Sequence, residues 1–264
     1  MSSDTTVELA VAQVLTCQEI TVRFGGLVAL DGVGFAARAG SITGLIGPNG
    51  AGKTTLFNVM TGVLEPTKGR VYYDGVDITS WAPHRRGRAG IARTFQRLEL
   101  FIGLTVYDNL LAAWEASVRG GVVGRHSADG REVVQGVIEW LRLEDLAYRA
   151  AGGLSTGQGR LVELGRALCT NPRLLLLDEP SSGLDSRETD RFRDILLEVA
   201  RDPNGPAVVL VEHDMGLVMD VCDHITVLDF GKAIAEGSPD EVRDNPAVVS
   251  AYLGAQEDGS GSTR

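Results

Sequence analysis

The run Gly47-Pro-Asn-Gly-Ala-Gly-Lys-Thr-Thr55 constrains the fold more than any other stretch of this sequence. It fits G-x-x-x-x-G-K-[ST], a pattern that works only between a strand leading in and a helix leading out. Both flanks comply: Ile42–Ile46 is apolar enough for a buried strand, and Lys53 to Met60 has the composition of a helix. Gly50 and Gly52 free the backbone to wrap round an anion, and the N–H groups at a helix start point at it. Lys53 supplies a point charge for the β- and γ-phosphates, and the Thr54 hydroxyl is placed for Mg²⁺. Gly47, Pro48, Asn49, Gly50, Ala51, Gly52, Lys53, Thr54 and Thr55 are therefore the expected triphosphate cradle.

The surrounding text is mixed α/β. Leu15–Phe24, Ser41–Ile46 and Arg70–Tyr73 read as strands. Asp74-Gly75 marks a hairpin turn, with Val76–Ile78 returning. Val106–Ser117, Arg131–Leu143 and Arg160–Leu168 show helical periodicity. Leu174–Leu177 and Ala207–Val211 are short and almost wholly apolar, as strands covered on both faces by helices must be. Ile225–Leu228 and Ala233–Ala235 flank Gly231 as a late hairpin. The expected architecture is a nucleotide-binding α/β core, an N-terminal antiparallel sheet and a helical segment inserted between about residues 98 and 153. The ends, 1–12 and 255–264, read as flexible tails, and the Gly-rich stretch Arg119–Gly130 as a loop.

Composition narrows the partners. A net charge of −10 over 264 residues argues against a nucleic-acid binder, whose affinity depends on Lys and Arg neutralising phosphates. It does not argue against a nucleotide, which backbone amides and one lysine can hold. Cys17, Cys169 and Cys222 form no metal pattern and read as reduced thiols of the cytoplasm. No apolar run approaches the roughly 20 residues that cross a bilayer, and Met1–Ala12 lacks the basic start of a signal peptide. The stretch His84-Arg-Arg-Gly-Arg88 reads as a solvated helix start.

Two further motifs carry chemistry. Leu174-Leu-Leu-Leu-Leu-Asp-Glu-Pro180 puts Asp178 at the end of a buried strand, where a carboxylate can hold Mg²⁺ through water. Glu179 follows in position to polarise an attacking water. Leu154-Ser-Thr-Gly-Gln158 precedes the helix near Gly159, with Ser155 as its N-cap, and makes a second anion site.

Together with Gln96 in Arg93-Thr-Phe-Gln96, Ser182-Gly-Leu-Asp185, and His213 after an apolar strand, these motifs resemble the ATP-binding subunits of ABC transporters. The resemblance covers about Leu15 to Gly254, and the motifs stand in family order. It implies a P-loop NTPase (RecA-like) core with an N-terminal antiparallel β-subdomain and an inserted α-helical subdomain, a single unit over residues 13–254. It implies that Phe24 stacks on adenine, that Gln96 touches Mg²⁺ with Thr54 and Asp178, and that Glu179 is the general base beside His213. It further implies that Ser155, Gly157 and Gln158 act in trans on the ATP of a second subunit, with Asp185 crossing the interface. The implied partners are a second ATP-binding subunit (a copy or a paralogue), membrane permease subunits, and an extracytoplasmic solute-binding protein. The implied location is the cytoplasmic face of the membrane. Thr156 and Gly159 depart from the family pattern.

Arg93–Phe101, Leu104–Leu110, Val211–Met219 and Asp244–Leu253 resemble the ATPases of branched-chain amino acid importers. Related subunits for urea, amides or lipopolysaccharide share much of this pattern, and a soluble non-transport ATPase is the remaining alternative. Glu99–Phe101, beside Gln96, is the expected dock for a helix of the membrane subunit.

Overall fold

The structure, a computed structural model, describes residues 13–94, 96–119 and 129–257. Two long strands, β1 (Gln13–Phe24) and β2 (Leu27–Arg38), lead to β3 (Ile42–Ile46) and helix α1 (Lys53–Thr61). Then come β4 (Lys68–Tyr73), β5 (Val76–Asp77), α2 (Pro83–Ala89) and β6 (Ile91–Arg93). Helices α3 (Val106–Arg119), α4 (Gly130–Trp140) and α5 (Thr156–Leu168) precede β7 (Leu174–Asp178). The chain continues through α6 (Ser186–Arg201), β8 (Ala207–Val211), α7 (Met215–Val221), β9 (His224–Asp229) and β10 (Lys232–Gly237). It ends in α8 (Pro239–Arg243) and α9 (Pro246–Glu257).

Two sheets form. One is antiparallel, in the order β2-β1-β4-β5. The other runs β10-β9-β3-β8-β7-β6, parallel except for the β9–β10 hairpin at its edge. The four-leucine run is explained by where this second sheet lies. Leu175, Leu177, Val208 and Leu210 pack with helical residues such as Val106, Leu161 and Phe192. Leu174, Leu176, Val209 and Val211 face the other way, onto Leu15, Ile20 and Phe57. Neither face meets water, so alternation disappears from the sequence.

Both predicted hairpins form, each with two left-handed residues at its turn: Asp74 (φ 47°) with Gly75 (φ 75°), and Phe230 (φ 42°) with Gly231 (φ 77°). Strand β2 is absent from the sequence reading because Gly32 and Gly34 interrupt it, although Val33, Phe35 and Ala37 are buried in alternation. Helix α9 continues to Glu257, past the boundary expected at residue 254. Residues 1–12, 120–128 and 258–264, and Phe95 of the Gln96 motif, lie outside the described residues. Among those described, no helix is long and apolar enough to cross a membrane.

The basic stretch needs a correction. His84, Arg85, Gly87 and Arg88 are exposed, as expected, but Arg86 is 1% exposed. Its guanidinium donates to five carbonyl oxygens: Val59 (2.7 Å), Met60 (2.8 Å), Ile78 (2.8 Å), Thr79 (2.9 Å) and Trp81 (3.0 Å). Val59 and Met60 sit at the end of α1, where helix carbonyls lack partners within the helix and a cation complements the dipole. Gly62 (φ 76°) gives up the space, since a Cβ there would lie 2.6 Å from Arg86 Nε. Arg86 thus anchors the far end of the helix whose first residue is Lys53.

A planar fork with five donors has no substitute in lysine. Arg86→Lys and Arg86→Ala are each expected to lower stability by roughly 3 kcal/mol or more, because several buried carbonyls lose their partner. Urea unfolding checks this; a lysine variant with the wild-type midpoint would remove Arg86 from the role.

Candidate functional site

Strand β3, buried throughout, ends at Ile46 and delivers the chain into the Gly47–Thr55 loop. Gly47 (φ 147°) must be glycine, since a Cβ would stand 2.1 Å from Leu228 O on β9. The loop is also tied to the β9–β10 turn, where Gly231 N–H donates to Ala51 O at 3.0 Å. Lys53 Nζ is buried and folds back on its own loop, donating to Gly47 O (2.6 Å) and Pro48 O (3.1 Å). Burial lowers the pKa of Lys53, and the charges of Glu179 and Asp178 oppose that shift. Phe24, Asn49, Gly50, Ala51, Gly52, Lys53, Thr54, Thr55 and Glu179 line a cleft of about 500 Å³. Gly47, Pro48 and His213 line the neighbouring cavity, on the side of α9.

The acids meet the cradle where β7 and β8 end. Glu179 N–H donates to Val211 O at 2.8 Å, and Glu179 takes a left-handed conformation (φ 48°) that a side chain rarely adopts. Strain of that kind costs about 1–3 kcal/mol and collects at functional sites. The Glu179 carboxylate accepts from Gln96 Nε2 at 2.9 Å and lies 4.0 Å from His213 Nδ1. Asp178 is buried beside it. Burial raises its pKa, the charge of Arg93 opposes this, and Glu179 and Glu212 raise it further.

The donor set fits Mg²⁺. A hydroxyl (Thr54), a carboxylate (Asp178) and a carboxamide oxygen (Gln96) are the hard oxygen ligands that this ion takes alongside water. A cation would also offset the repulsion that Glu179 and Glu212 exert on Asp178. The loop fits a triphosphate equally well, because its lysine is held only by carbonyls that an anion can replace.

The sequence reading missed four residues here. Glu212 is wholly buried, and its carboxylate accepts the N–H groups of Ser181 (2.8 Å) and His213 (3.0 Å), so it fixes the loops that carry Glu179 and His213. The signal was present, as an acid at the end of an apolar strand. Arg93 lies over the Phe57 ring and faces Asp178. Phe230 lines the cleft along with Phe24 and is 88% exposed. Glu188 is the fourth.

Ser155, Gly157, Gln158 and Asp185 do not line the cleft. Ser155 caps α5 in a capping box with Gln158, as its motif predicted. Asp185 caps α6 within its own chain, accepting from Glu188 N–H at 2.9 Å. Glu188 then reaches Ser155, accepting from its hydroxyl at 2.9 Å. The two departures find their space: Thr156 lies against Gly183, and Leu98 fills the room a Cβ on Gly159 would need, at 2.6 Å.

The chain is similar to known proteins over most of its length. Residues 30–182 match the family model described as ABC transporter, and residues 234–258 match that of the branched-chain amino acid ATP-binding cassette transporter. The high-affinity branched-chain amino acid transport ATP-binding protein BraF of Pseudomonas aeruginosa is 40% identical, over 91% of this chain and 98% of that one. The ADP conformation of MJ1267, an ATP-binding cassette of an ABC transporter, superposes with a TM-score of 0.80 at 36% identity, over 92% and 99% of the two chains. A dimeric post-hydrolysis state of the cassette MJ0796, bound to ADP and Pi, gives 0.71 at 26% identity, over 85% and 98%.

The raised Asp178 pKa fixes the sign of a pH effect. The folded chain keeps this proton to higher pH than the unfolded chain does, so stability falls as pH rises through that window. Asp178→Asn should therefore raise the thermal midpoint of the nucleotide-free chain at neutral pH by about 2–4 °C. It should also abolish the Mg²⁺-dependent part of stabilisation by ATP. A midpoint unchanged or lowered in thermal melts would contradict this.

Proposed function

Because the chain belongs to the ABC transporter family, we propose that it is the ATP-hydrolysing subunit that powers import of branched-chain amino acids. The observation that carries the ATPase reading is the meeting of Lys53, Glu179, Gln96 and His213 at one end of the P-loop cleft. The solute rests on the matches to residues 234–258 and to BraF.

Each residue has a task that its position permits. The N–H groups of Gly50 to Thr55 and the start of α1 receive the phosphates. Lys53 exchanges the carbonyls of Gly47 and Pro48 for phosphate oxygens. Thr54, Asp178 and Gln96 hold Mg²⁺, which when bound offsets charge on the phosphates. Glu179, oriented by Gln96 and by its own constrained backbone, takes the proton of the attacking water. His213, held through its N–H by Glu212, orients the same water and the γ-phosphate. Phe24 stacks on the base at the exposed rim.

Residues 13–254 act as one ATP-binding unit, and two such units, identical or paralogous, close head to tail. Ser155, Gly157, Gln158 and Asp185 sit away from the cleft of their own chain, where a partner's nucleotide can meet them. Closure then adds donors to the γ-phosphate that the open state lacks, so ATP favours the closed pair. Permease subunits, and with them a solute-binding protein outside the membrane, complete the importer, and the chain works on its cytoplasmic face.

The docking surface follows Gln96. Leu98, Phe101, Ile102 and Leu104 are exposed apolar side chains at the edge of a cavity of about 490 Å³ that Arg93, Glu99, Glu163 and Arg166 line. Asn109 holds this segment, accepting from Phe101 N–H (2.9 Å) and donating to Phe101 O (3.1 Å). Arg166 lies over the Phe101 ring and donates to Glu99 O.

Glu179→Gln keeps the shape of the base and removes its basicity, so ATP hydrolysis should fall by a factor on the order of 10² or more. Uptake of labelled leucine by the native cell should be lost with it while the protein remains at the membrane. A near-wild-type hydrolysis rate would sink the base assignment; normal leucine uptake would leave the ATPase in place and move the solute elsewhere. Phe101→Ala should lower uptake per ATP hydrolysed in the assembled transporter, and an unchanged ratio would remove the docking role.

A further inference from the structure

Helices α5 and α6 begin side by side, and a single carboxylate joins their first turns. Glu188 Oε1 accepts the proton of Ser155 Oγ at 2.9 Å, and Glu188 Oε2 accepts Asp185 N–H at 3.3 Å. The approach depends on Gly157, where a Cβ would lie 2.5 Å from Glu188 Cδ. Ser155 Oγ meanwhile accepts Gln158 N–H at 3.2 Å. A serine hydroxyl has one proton to give, and here Glu188 takes it.

A γ-phosphate is purely an acceptor. To be bound by Ser155 it needs the same proton, and a carboxylate already at the start of α5 both holds that proton and repels the incoming charge. We propose that Glu188 is a positioning residue that keeps Ser155 engaged within its own chain, and that a partner's ATP must win Ser155 from it during closure. The inference rests on the head-to-tail reading given above and adds to it a residue that sets the threshold. Because Glu188 also forms the capping box with Asp185, the same carboxylate ties the Leu154–Gln158 segment to the Ser182–Asp185 loop, so the two release together.

The sign of the expected effect separates this from a structural role. Losing a structural contact would loosen the ATP-bound dimer, whereas losing a competitor tightens it. The experiment compares Glu179→Gln with Glu179→Gln/Glu188→Gln, both with Mg²⁺ and ATP, by sedimentation equilibrium. Glutamine still supports a capping box, and urea unfolding of Glu188→Gln and Glu188→Ala monitors the fold. The dimer dissociation constant should fall about tenfold or more, since a charge-assisted bond is replaced by a neutral one at two sites per dimer. Glu188→Ala should tighten the dimer in the same direction. An unchanged or larger dissociation constant in both variants overturns the role of Glu188 alone. A Glu179→Gln chain that stays monomeric with ATP overturns the head-to-tail reading, and this inference with it.

Discussion

The three middle strands of the parallel sheet have no wet face. Every residue of β3, β7 and β8 is buried, so polar chemistry can enter these strands only at their ends. They run parallel and adjacent, which brings those ends to one edge. The loop after Ile46, the Asp178–Glu179 pair and the Glu212–His213 pair therefore meet without any contact between them in sequence. The Glu179 N–H bond to Val211 O is the first link beyond the sheet, and it fixes the backbone that carries the Glu179 carboxylate. Everything else at the site is arranged around that edge.

Charge is deliberately unbalanced there. Asp178, Glu179 and Glu212 crowd together, while Lys53 is committed to loop carbonyls and Arg93 stands behind Asp178. The acid cluster and the left-handed backbone at Glu179 both cost stability. Mg²⁺ and a triphosphate would relieve both imbalances at once, because the cation answers the acids and the anion answers the lysine. Binding of both would therefore stabilise the fold.

Rigidity comes from elsewhere. Arg86 ties the end of α1 to the segment after β5, so the helix that presents Lys53 is fixed at both ends. The first turns of α5 and α6 are locked to each other through Glu188. The cradle and the Leu154–Gln158 segment are thus held by separate sets of contacts.

How much of this was legible depends on the range of the contact. Local patterns carried the cradle, the capped Ser155, the two hairpins and the doubly buried strands, since each rests on neighbours within a few residues. The long-range pairings were silent. Arg86 looked like one more surface arginine, because the carbonyls it satisfies lie up to 27 residues away. Glu188 carried no signal in the sequence, because its tie to Ser155 spans 33 positions. Strand β2 was hidden by glycines that only its pairing with β1 makes tolerable. By itself the sequence determined which chemistry is available and on which elements it rides. The tertiary structure decided which of those groups meet, because burial on both faces erases periodicity and a side chain's partner is set by strand order, not by position along the chain.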